Sequence, residues 1–231
     1  MIRVFLLLLA LTPLFGCGES ATATPGARIL LLGDSMMASN AVSNESISDV
    51  IEAEMGQPVI DRAVVGARFL YALPISGALG LNIVKQYRPG PWDSVVLNGG
   101  GNDILFGCAC SACDGVLNRL ISADGSEGAI PAFVSRVRQS GARVIYVGYL
   151  RNPGTATPVK GCGPAGNTLD RRLAQMARRD PGVTFLSMAD LVPKGDTSLH
   201  QLDRIHPSPK GSRAIAQRIV AELRRNPASN R

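Results

Sequence analysis

Short apolar runs that alternate with amphipathic segments are the feature that most limits how this chain can fold. Residues 29–32 form a continuous apolar run, a pattern typical of a strand buried on both faces. Similar runs recur and predict strands at residues 28–32, 59–65, 94–97, 143–149 and 183–187. Strands separated by helices form parallel sheets with helices on both faces. We therefore predict an α/β fold, a flavodoxin-like three-layer α/β/α sandwich with a five-stranded parallel sheet.

Helix signals fall between these strands. Apolar residues at helical spacing predict helices over residues 46–55, 78–87 and 168–179. Leu79 is expected on the buried side of the second helix, and Asn167 is expected to cap the third. Ser208 followed by Pro209 is typical of a helix start and predicts a last helix from that point.

The chain shows neither an internal repeat nor a linker that would divide it. Residues 28–225 are therefore predicted to form one domain, which is long enough for a full core. Residues 226–231 are expected to be a frayed tail.

A targeting segment precedes the predicted domain. Arg3 is followed by an apolar run too short for a transmembrane helix, so residues 1–16 are predicted to be a signal peptide. The sequence Leu14-Phe15-Gly16-Cys17 resembles a bacterial lipobox, in which the cysteine is lipidated, although a small residue is usual in place of Phe15. Ordinary cleavage after Ala23 is the alternative.

Either route exports the mature protein. The expected location is the bacterial periplasm or, through a lipid on Cys17, the membrane of the cell envelope. Residues 17–27 are small, polar and proline-containing, which predicts a flexible tether. The sequence carries no signal for the oligomeric state, and a monomer is assumed.

The chain is basic, with a formal net charge of +6, of which Arg3 in the leader supplies one unit. Much of the surplus lies on the predicted solvent faces of helices, at Arg171, Arg172, Arg178, Arg179, Arg224 and Arg225. No aromatic-rich strand or recognition helix accompanies these charges, as a nucleic-acid site would require. We expect no nucleic-acid partner, while weak attraction to anionic lipid or polysaccharide stays open.

Four cysteines remain when Cys17 is set aside, and an even number agrees with an oxidising compartment. Two disulfides in any of three connectivities are possible, and a zinc site is the alternative. We favour one short bridge among Cys108, Cys110 and Cys113, and a second from that loop to Cys162.

Polar residues and glycines follow the predicted strands at the ends where parallel sheets build their sites. Ser35 follows the first strand, Gly66 the second and Asn102 the third, while His206 follows the loop after the fifth. Each could be an ordinary turn residue, but together they converge on one rim. The chain has only two histidines, so a general base near neutral pH has few candidates.

Four blocks in this order resemble the SGNH hydrolases, the superfamily of GDSL esterases and lipases. They are Gly33-Asp34-Ser35-Met36, Gly66 after the second strand, Gly100-Gly101-Asn102-Asp103 and Asp203-Arg204-Ile205-His206. The resemblance spans about residues 28–225. This chain departs from the family at Met36, where leucine is commoner, and in the cysteine-rich insert after the third block.

The resemblance implies roles for these residues. Ser35 would be the nucleophile, His206 the general base and Asp203 the carboxylate that orients the imidazole. The backbone N–H groups of Ser35 and Gly66 and the side-chain amide of Asn102 would form the oxyanion hole. Asp34 and Asp103 are expected to be structural, and His200 an ordinary loop histidine. No metal or organic cofactor is implied.

The expected activity is that of an exported serine esterase. Short acyl esters, lysophospholipids, thioesters and O-acetyl groups on glycans are the candidate substrates, and the expected wall of the pocket is Phe69, Tyr71, Phe106 and Tyr149. Two alternatives stay open. One is a non-catalytic surface lipoprotein that binds a ligand, and the other is an acyltransferase that uses the same triad.

Overall fold

A computed structural model describes residues 24–225 and shows a five-stranded, fully parallel sheet. The strands are β1 (Ile29–Leu32), β2 (Val59–Asp61), β3 (Ser94–Leu97), β4 (Arg143–Val147) and β5 (Val183–Leu186). Their spatial order is β2-β1-β3-β4-β5, which is the flavodoxin-like order. The predicted fold class is therefore confirmed.

Helices cover both faces of this sheet. They are α1 (Ser35–Ala38), α2 (Ile47–Met55), α3 (Pro74–Ser76), α4 (Ile83–Gln86), α5 (Gly101–Cys108), α6 (Asp114–Leu120), α7 (Ala129–Gln139), α8 (Gly163–Arg179) and α9 (Pro209–Arg225). Short 3₁₀ turns lie at Ala41–Ser43 and Lys160–Cys162, and a π-helical turn lies at Gly77–Leu81.

The alternation of side chains along the central strands divides the core into two layers. Leu30 and Leu32 of β1 point into one layer, which contains residues of α4 to α8. Ile29 and Leu31 point into the other, which contains residues of α1, α2 and α9. Successive side chains of a strand face opposite sides of a sheet, so a continuous apolar run is what a strand covered on both faces requires.

The segment predicted as one helix over residues 78–87 is broken in the structure. Gly80 has a φ of 104°, and the side chain of Asn82 accepts a hydrogen bond from the backbone N–H of Val84, which starts α4 afresh. A Cβ on residue 80 would lie 2.6 Å from the side chain of Val64, so the close approach also needs glycine. The break leaves Leu79 77% exposed, and its predicted burial is wrong.

Other boundaries also differ from the prediction. Helix α8 starts at Gly163 with Pro164 in its first turn, so Asn167 lies inside the helix and does not cap it. Strand β2 ends at Asp61, whose carboxylate accepts hydrogen bonds from Ser48 Oγ and the N–H of Ala63. Helices α5, α6 and α7 were not predicted.

The four cysteines lie in two pairs, Cys108 with Cys113 and Cys110 with Cys162, at Cα separations of 5.3 and 4.6 Å. Both separations are within the range of disulfides. The first pair closes the turn between α5 and α6, and the second ties that turn to the start of α8. This is the pairing that the sequence favoured.

Several predictions fall outside the described residues. These are the signal peptide 1–16, lipidation at Cys17, the alternative cleavage after Ala23 and the tail 226–231. Within residues 24–225, no helix combines the length and apolar character needed to cross a membrane.

Candidate active site

Ser35 is the first residue of α1, directly after β1 and its connecting turn. Asp34 caps the helix by accepting a hydrogen bond from the N–H of Met36 at 3.0 Å. The turn is tight at Gly33, where a Cβ would lie 2.9 Å from Met37 and 3.2 Å from the carbonyl oxygen of Asn98. The glycine therefore lets the chain deliver Ser35 to the carboxyl end of the sheet.

The structure brings the three predicted catalytic residues into one hydrogen-bonded chain. Nε2 of His206 lies 2.9 Å from Oγ of Ser35, and Nδ1 of His206 lies 2.5 Å from Oδ2 of Asp203. Oδ1 of Asp203 accepts from the N–H groups of Ile205 and His206, at 2.9 and 3.0 Å. The carboxylate thus binds both the backbone of its own loop and the imidazole.

The electrostatics of Asp203 suit an ionised partner for the imidazole. Partial burial opposes its ionisation, but the hydrogen bonds from the His206 side chain and from two backbone N–H groups outweigh that effect. The pKa of Asp203 is consequently lower than its ordinary value. This carboxylate is charged at neutral pH and can stabilise an imidazolium.

Contacts with the turn after α1 hold the histidine loop in place. Nδ2 of Asn40 donates to the carbonyl oxygen of Pro207 at 3.0 Å and to Oγ of Ser212 at 2.8 Å. The N–H of Gln201 donates to the carbonyl oxygen of His206 at 2.8 Å. The segment that begins with the nucleophile, α1 and the turn after it, therefore also holds the histidine loop.

The three predicted oxyanion donors lie on the turns after β1, β2 and β3. Among the hydrogen bonds of residues 24–225, none uses the backbone N–H of Ser35 or of Gly66. Gly66 has a φ of 78°, in the left-handed region that favours glycine. Nδ2 of Asn102, near the start of α5, donates to the carbonyl oxygen of Ala67 at 3.2 Å, which ties its amide to the residue after Gly66.

Asp103 is structural, as expected. Its two oxygens accept hydrogen bonds from the N–H groups of Phe69 and Leu70, at 3.0 and 2.8 Å, and so fasten the chain after Gly66 to α5. Burial raises the pKa of Asp103, against these hydrogen bonds and the charge of Arg68.

Asp34 has a partner that the sequence did not reveal. Tyr149 Oη donates to Oδ2 of Asp34 at 2.5 Å and accepts from the N–H of Gly101 at 2.9 Å. Burial raises the pKa of Asp34 and raises that of Tyr149 well above its ordinary value, so the phenol stays a donor. Tyr149 therefore links the nucleophile turn to the start of α5. In the sequence, only its position just after β4 indicates that it lies at this end of the sheet.

The aromatic residues expected in the pocket wall separate into two groups. Phe69 is only 4% exposed and packs edge-on against Phe133 in the core, so its prediction as wall is wrong. Tyr71 and Phe106 both contact the guanidinium of Arg68, and Phe106 is 63% exposed.

The second histidine takes no part in this chain of hydrogen bonds. His200 is buried, and burial lowers its pKa. Within residues 24–225 no three His, Cys, Asp or Glu side chains cluster in a way that could hold a metal ion. A cavity of about 420 Å³ lies beside Arg138, at the amino end of β5 and therefore at the other end of the sheet from Ser35.

Comparison with known proteins agrees with this geometry. Residues 31–214 match the model of the GDSL-like lipase/acylhydrolase family. No protein among the curated ones compared matches the chain. The parallel α/β sandwich and the family match together define the class of protein, a hydrolase of acyl esters. This chain belongs to the GDSL-like lipase/acylhydrolase family, within the SGNH superfamily, and is a carboxylic ester hydrolase.

Solved structures share the fold at low sequence identity. A protein of Slackia heliotrinireducens assigned as a candidate SGNH hydrolase is 20% identical, with a TM-score of 0.60 over 86% of this chain and 99% of its own. TesA is also 20% identical, with a TM-score of 0.58 over 85% and 98%. A family two carbohydrate esterase from Clostridium thermocellum, solved with cellohexaose, is 19% identical, with a TM-score of 0.56 over 86% and 63%.

Proposed function

We propose that the protein is an exported serine esterase that hydrolyses acyl esters through Ser35, His206 and Asp203. The observation that carries the proposal is the single imidazole of His206, which contacts Oγ of Ser35 and the carboxylate of Asp203 at hydrogen-bond distance. A serine hydroxyl is a weak nucleophile until a base accepts its proton, and this geometry supplies the base.

The reaction follows from the contacts. Nδ1–H of His206 donates to Asp203, which leaves Nε2 free to accept the proton of Ser35 as Oγ attacks the ester carbonyl. The imidazolium then gives that proton to the departing alcohol, and an acyl-serine remains. Water, deprotonated by the same nitrogen, attacks the acyl-serine, and the imidazolium returns a proton to Oγ of Ser35 as the acid leaves.

The negative oxygen of the tetrahedral intermediate would be held by three donors. The N–H groups of Ser35 and Gly66 have no acceptor among the described hydrogen bonds, and Asn102 supplies an amide beside them. One such donor typically contributes about 10²–10³ in kcat, because it acts where charge develops and not on the neutral ester.

The surroundings of the triad are open to solvent and partly apolar. His206 and Asp203 have side chains 31% and 41% exposed, so the site is open to solvent. Exposed apolar side chains lie close in sequence to the predicted oxyanion donors, Val65 directly before Gly66 and Phe106 one helical turn after Asn102, and these can contact an acyl chain. Short acyl esters, lysophospholipids, thioesters and O-acetyl groups are the substrate classes that we propose.

Export is also part of the proposal. The signal-peptide pattern of residues 1–16 and the lipobox-like cysteine at position 17 support it, as do two cysteine pairs at disulfide separation. Lipidated Cys17 would hold the enzyme at the membrane of the cell envelope.

The test is hydrolysis of 4-nitrophenyl esters of increasing chain length by the purified protein and its variants. We expect kcat/KM to be highest for short acyl chains, and to fall by about 10³-fold or more in Ser35→Ala and His206→Ala. Ser43→Ala, which removes a hydroxyl in the next turn of chain, is the matched control and should retain activity. A wild-type protein that hydrolyses none of the esters would refute the proposal.

A further inference from the structure

Arg68 lies two residues after Gly66 and contacts two aromatic rings. Its guanidinium carbon is 4.9 Å from the ring centre of Tyr71 and 5.5 Å from that of Phe106. Both distances are within the range of cation–π contacts. The backbone is fixed as well, because the N–H of Arg68 donates to Leu81 and its carbonyl oxygen accepts from Ile83.

The guanidinium nevertheless has no hydrogen-bonding partner within residues 24–225. Among the described residues it donates no hydrogen bond and forms no ion pair, and its Nε is buried without an acceptor. Arg62 and Arg151 differ in this respect, since one donates to the carbonyl oxygen of Gln86 and the other pairs with Asp170. An arginine carries five donors, so a rigid one without acceptors is suited to bind an anion.

The carboxylate of Asp103 does not fill this role. Both of its oxygens accept backbone N–H groups, and it lies beyond ion-pair distance of Arg68, although the charge of Arg68 acts to lower its pKa. The guanidinium charge therefore remains available to a ligand.

The location of Arg68 relative to the triad determines which part of a substrate it can contact. Phe106 follows Asn102 by four residues on α5, so the two side chains are neighbours, about 6 Å apart at Cβ. Ala67 and Phe69, on either side of Arg68, pack in the layer of α4 to α8. His206 instead precedes α9, which packs in the opposite layer.

The leaving alcohol must depart beside His206, because that residue protonates it. The carbonyl oxygen faces the donors of Ser35, Gly66 and Asn102. The acyl group therefore extends past these donors on the side of the site away from His206, and Arg68 follows Gly66 by two residues on that side. We propose that Arg68 binds a carboxylate at the far end of the acyl group, so that the enzyme favours esters of dicarboxylic acids over neutral acyl esters. The inference rests on the proposed esterase function and names the substrate class of that same site.

The contact would be strong for a surface-facing site. A guanidinium and a carboxylate can form two parallel charge-assisted hydrogen bonds, and the rings of Tyr71 and Phe106 hold the plane of the guanidinium before the ligand arrives. Hydrogen bonds to charged groups contribute enough to change kcat/KM by about 10- to 100-fold.

The test compares two esters of equal acyl length, mono-4-nitrophenyl adipate and 4-nitrophenyl hexanoate. The first carries a carboxylate at the end of the acyl chain and the second a methyl group. We expect the wild type to prefer the adipate, and Arg68→Met to lower kcat/KM for the adipate by about 10- to 100-fold and for the hexanoate by less than threefold. Arg178→Met, a change at an exposed arginine of α8, should alter neither.

Three results would overturn the inference. They are an equal loss on both esters, which indicates a purely structural role, no loss on either ester, and a loss confined to 3-carboxy-4-nitrophenyl acetate, whose charge is on the leaving group. Arg68→Lys, which keeps the charge without the planar fork, should recover only part of the preference.

A binding measurement separates failure of this inference from failure of the esterase proposal. Calorimetry with the Ser35→Ala variant and monoethyl adipate needs no turnover. We expect binding that the added Arg68→Met change weakens by at least tenfold, whereas ethyl hexanoate shows no dependence on Arg68. Adipate binding that is indifferent to Arg68 contradicts the inference, whether or not the wild type hydrolyses esters.

Discussion

We predict that replacing Gln86, a residue remote from the triad in sequence, causes a large loss of stability. Its side chain is 1% exposed and spans the turn that carries the nucleophile. Oε1 accepts from the N–H of Gly33, and Nε2 donates to the carbonyl oxygens of Gly33 and Gly80, each at 2.8 Å. Gln86→Met keeps the length and most of the volume of the side chain but removes all three hydrogen bonds.

The expected cost can be worked out from these contacts. The N–H of Gly33 loses its acceptor in a buried position, which costs about 1–3 kcal/mol. The carbonyl oxygen of Gly33 keeps the hydrogen bond from the N–H of Val64, so losing one donor there is cheaper. With the donor lost at Gly80, the sum is about 3 kcal/mol, or about 6–12 °C in Tm for a domain of this size.

The assay is denaturant and thermal unfolding of both proteins, with ester hydrolysis measured in parallel. Gln139→Met, at an exposed position of α7, is the control and should change stability by less than about 0.5 kcal/mol. We also expect kcat to fall, because Gly33 immediately precedes Asp34 and Ser35. A Gln86→Met protein as stable as the control would show that these buried hydrogen bonds do not hold the nucleophile turn.

Three further predictions concern the oxyanion hole, the cysteine pairs and an ion pair. Asn102→Ala should lower kcat by about 10²–10³ with little change in stability. Peptide mapping without reductant should recover Cys110 linked to Cys162, and replacing both by Ala should cost about 4 kcal/mol because that bridge closes a long loop. Hydrogen bonding by Arg138 lowers the pKa of Asp180 below its ordinary value. The loss of unfolding free energy in Arg138→Met should therefore be largest at about pH 6 and become smaller as the pH falls below about 4.

The outcomes that would contradict these predictions are equally direct. They are a loss of less than threefold in Asn102→Ala, a free Cys162 thiol in the exported protein, and a stability difference for Arg138→Met that does not change with pH.

The sheet was predictable because its central strands β1, β3 and β4 are buried on both faces. A strand such as β1 must be apolar at every position, and few other structures require four consecutive aliphatic residues. The contact between Ser35, His206 and Asp203 was predictable for a related reason. Histidine is scarce in the chain, and the carboxyl ends of parallel strands limit where a catalytic group can lie.

What sequence missed depends on contacts between distant parts of the chain. Gly100-Gly101-Asn102-Asp103 resembles the third family block, but the helix α5 that begins at Gly101, after Gly100 in a left-handed conformation, was not predicted. Leu79 has helical spacing, yet Gly80 breaks that helix because the turn packs against Val64. Neither contact leaves a local pattern.

The same limit applies to the polar partners in the site. Tyr149 and Asp34 are 115 positions apart, and Gln86 and Gly33 are 53 apart. Aromatic and amide residues at such positions have many possible partners, so spacing alone does not identify the right one. The prediction of Phe69 as pocket wall is wrong because aromatic side chains occupy cores as readily as pockets.

The proposed esterase activity depends on Ser35 as the nucleophile, activated by His206. Its most direct measurement is reaction of the purified protein with a fluorophosphonate, followed by mass spectrometry of the intact protein and its peptides. We predict one adduct per chain, located on Ser35, which is absent in Ser35→Ala and forms much more slowly in His206→Ala. A wild-type protein that does not react, or an adduct on any other serine, would contradict the account.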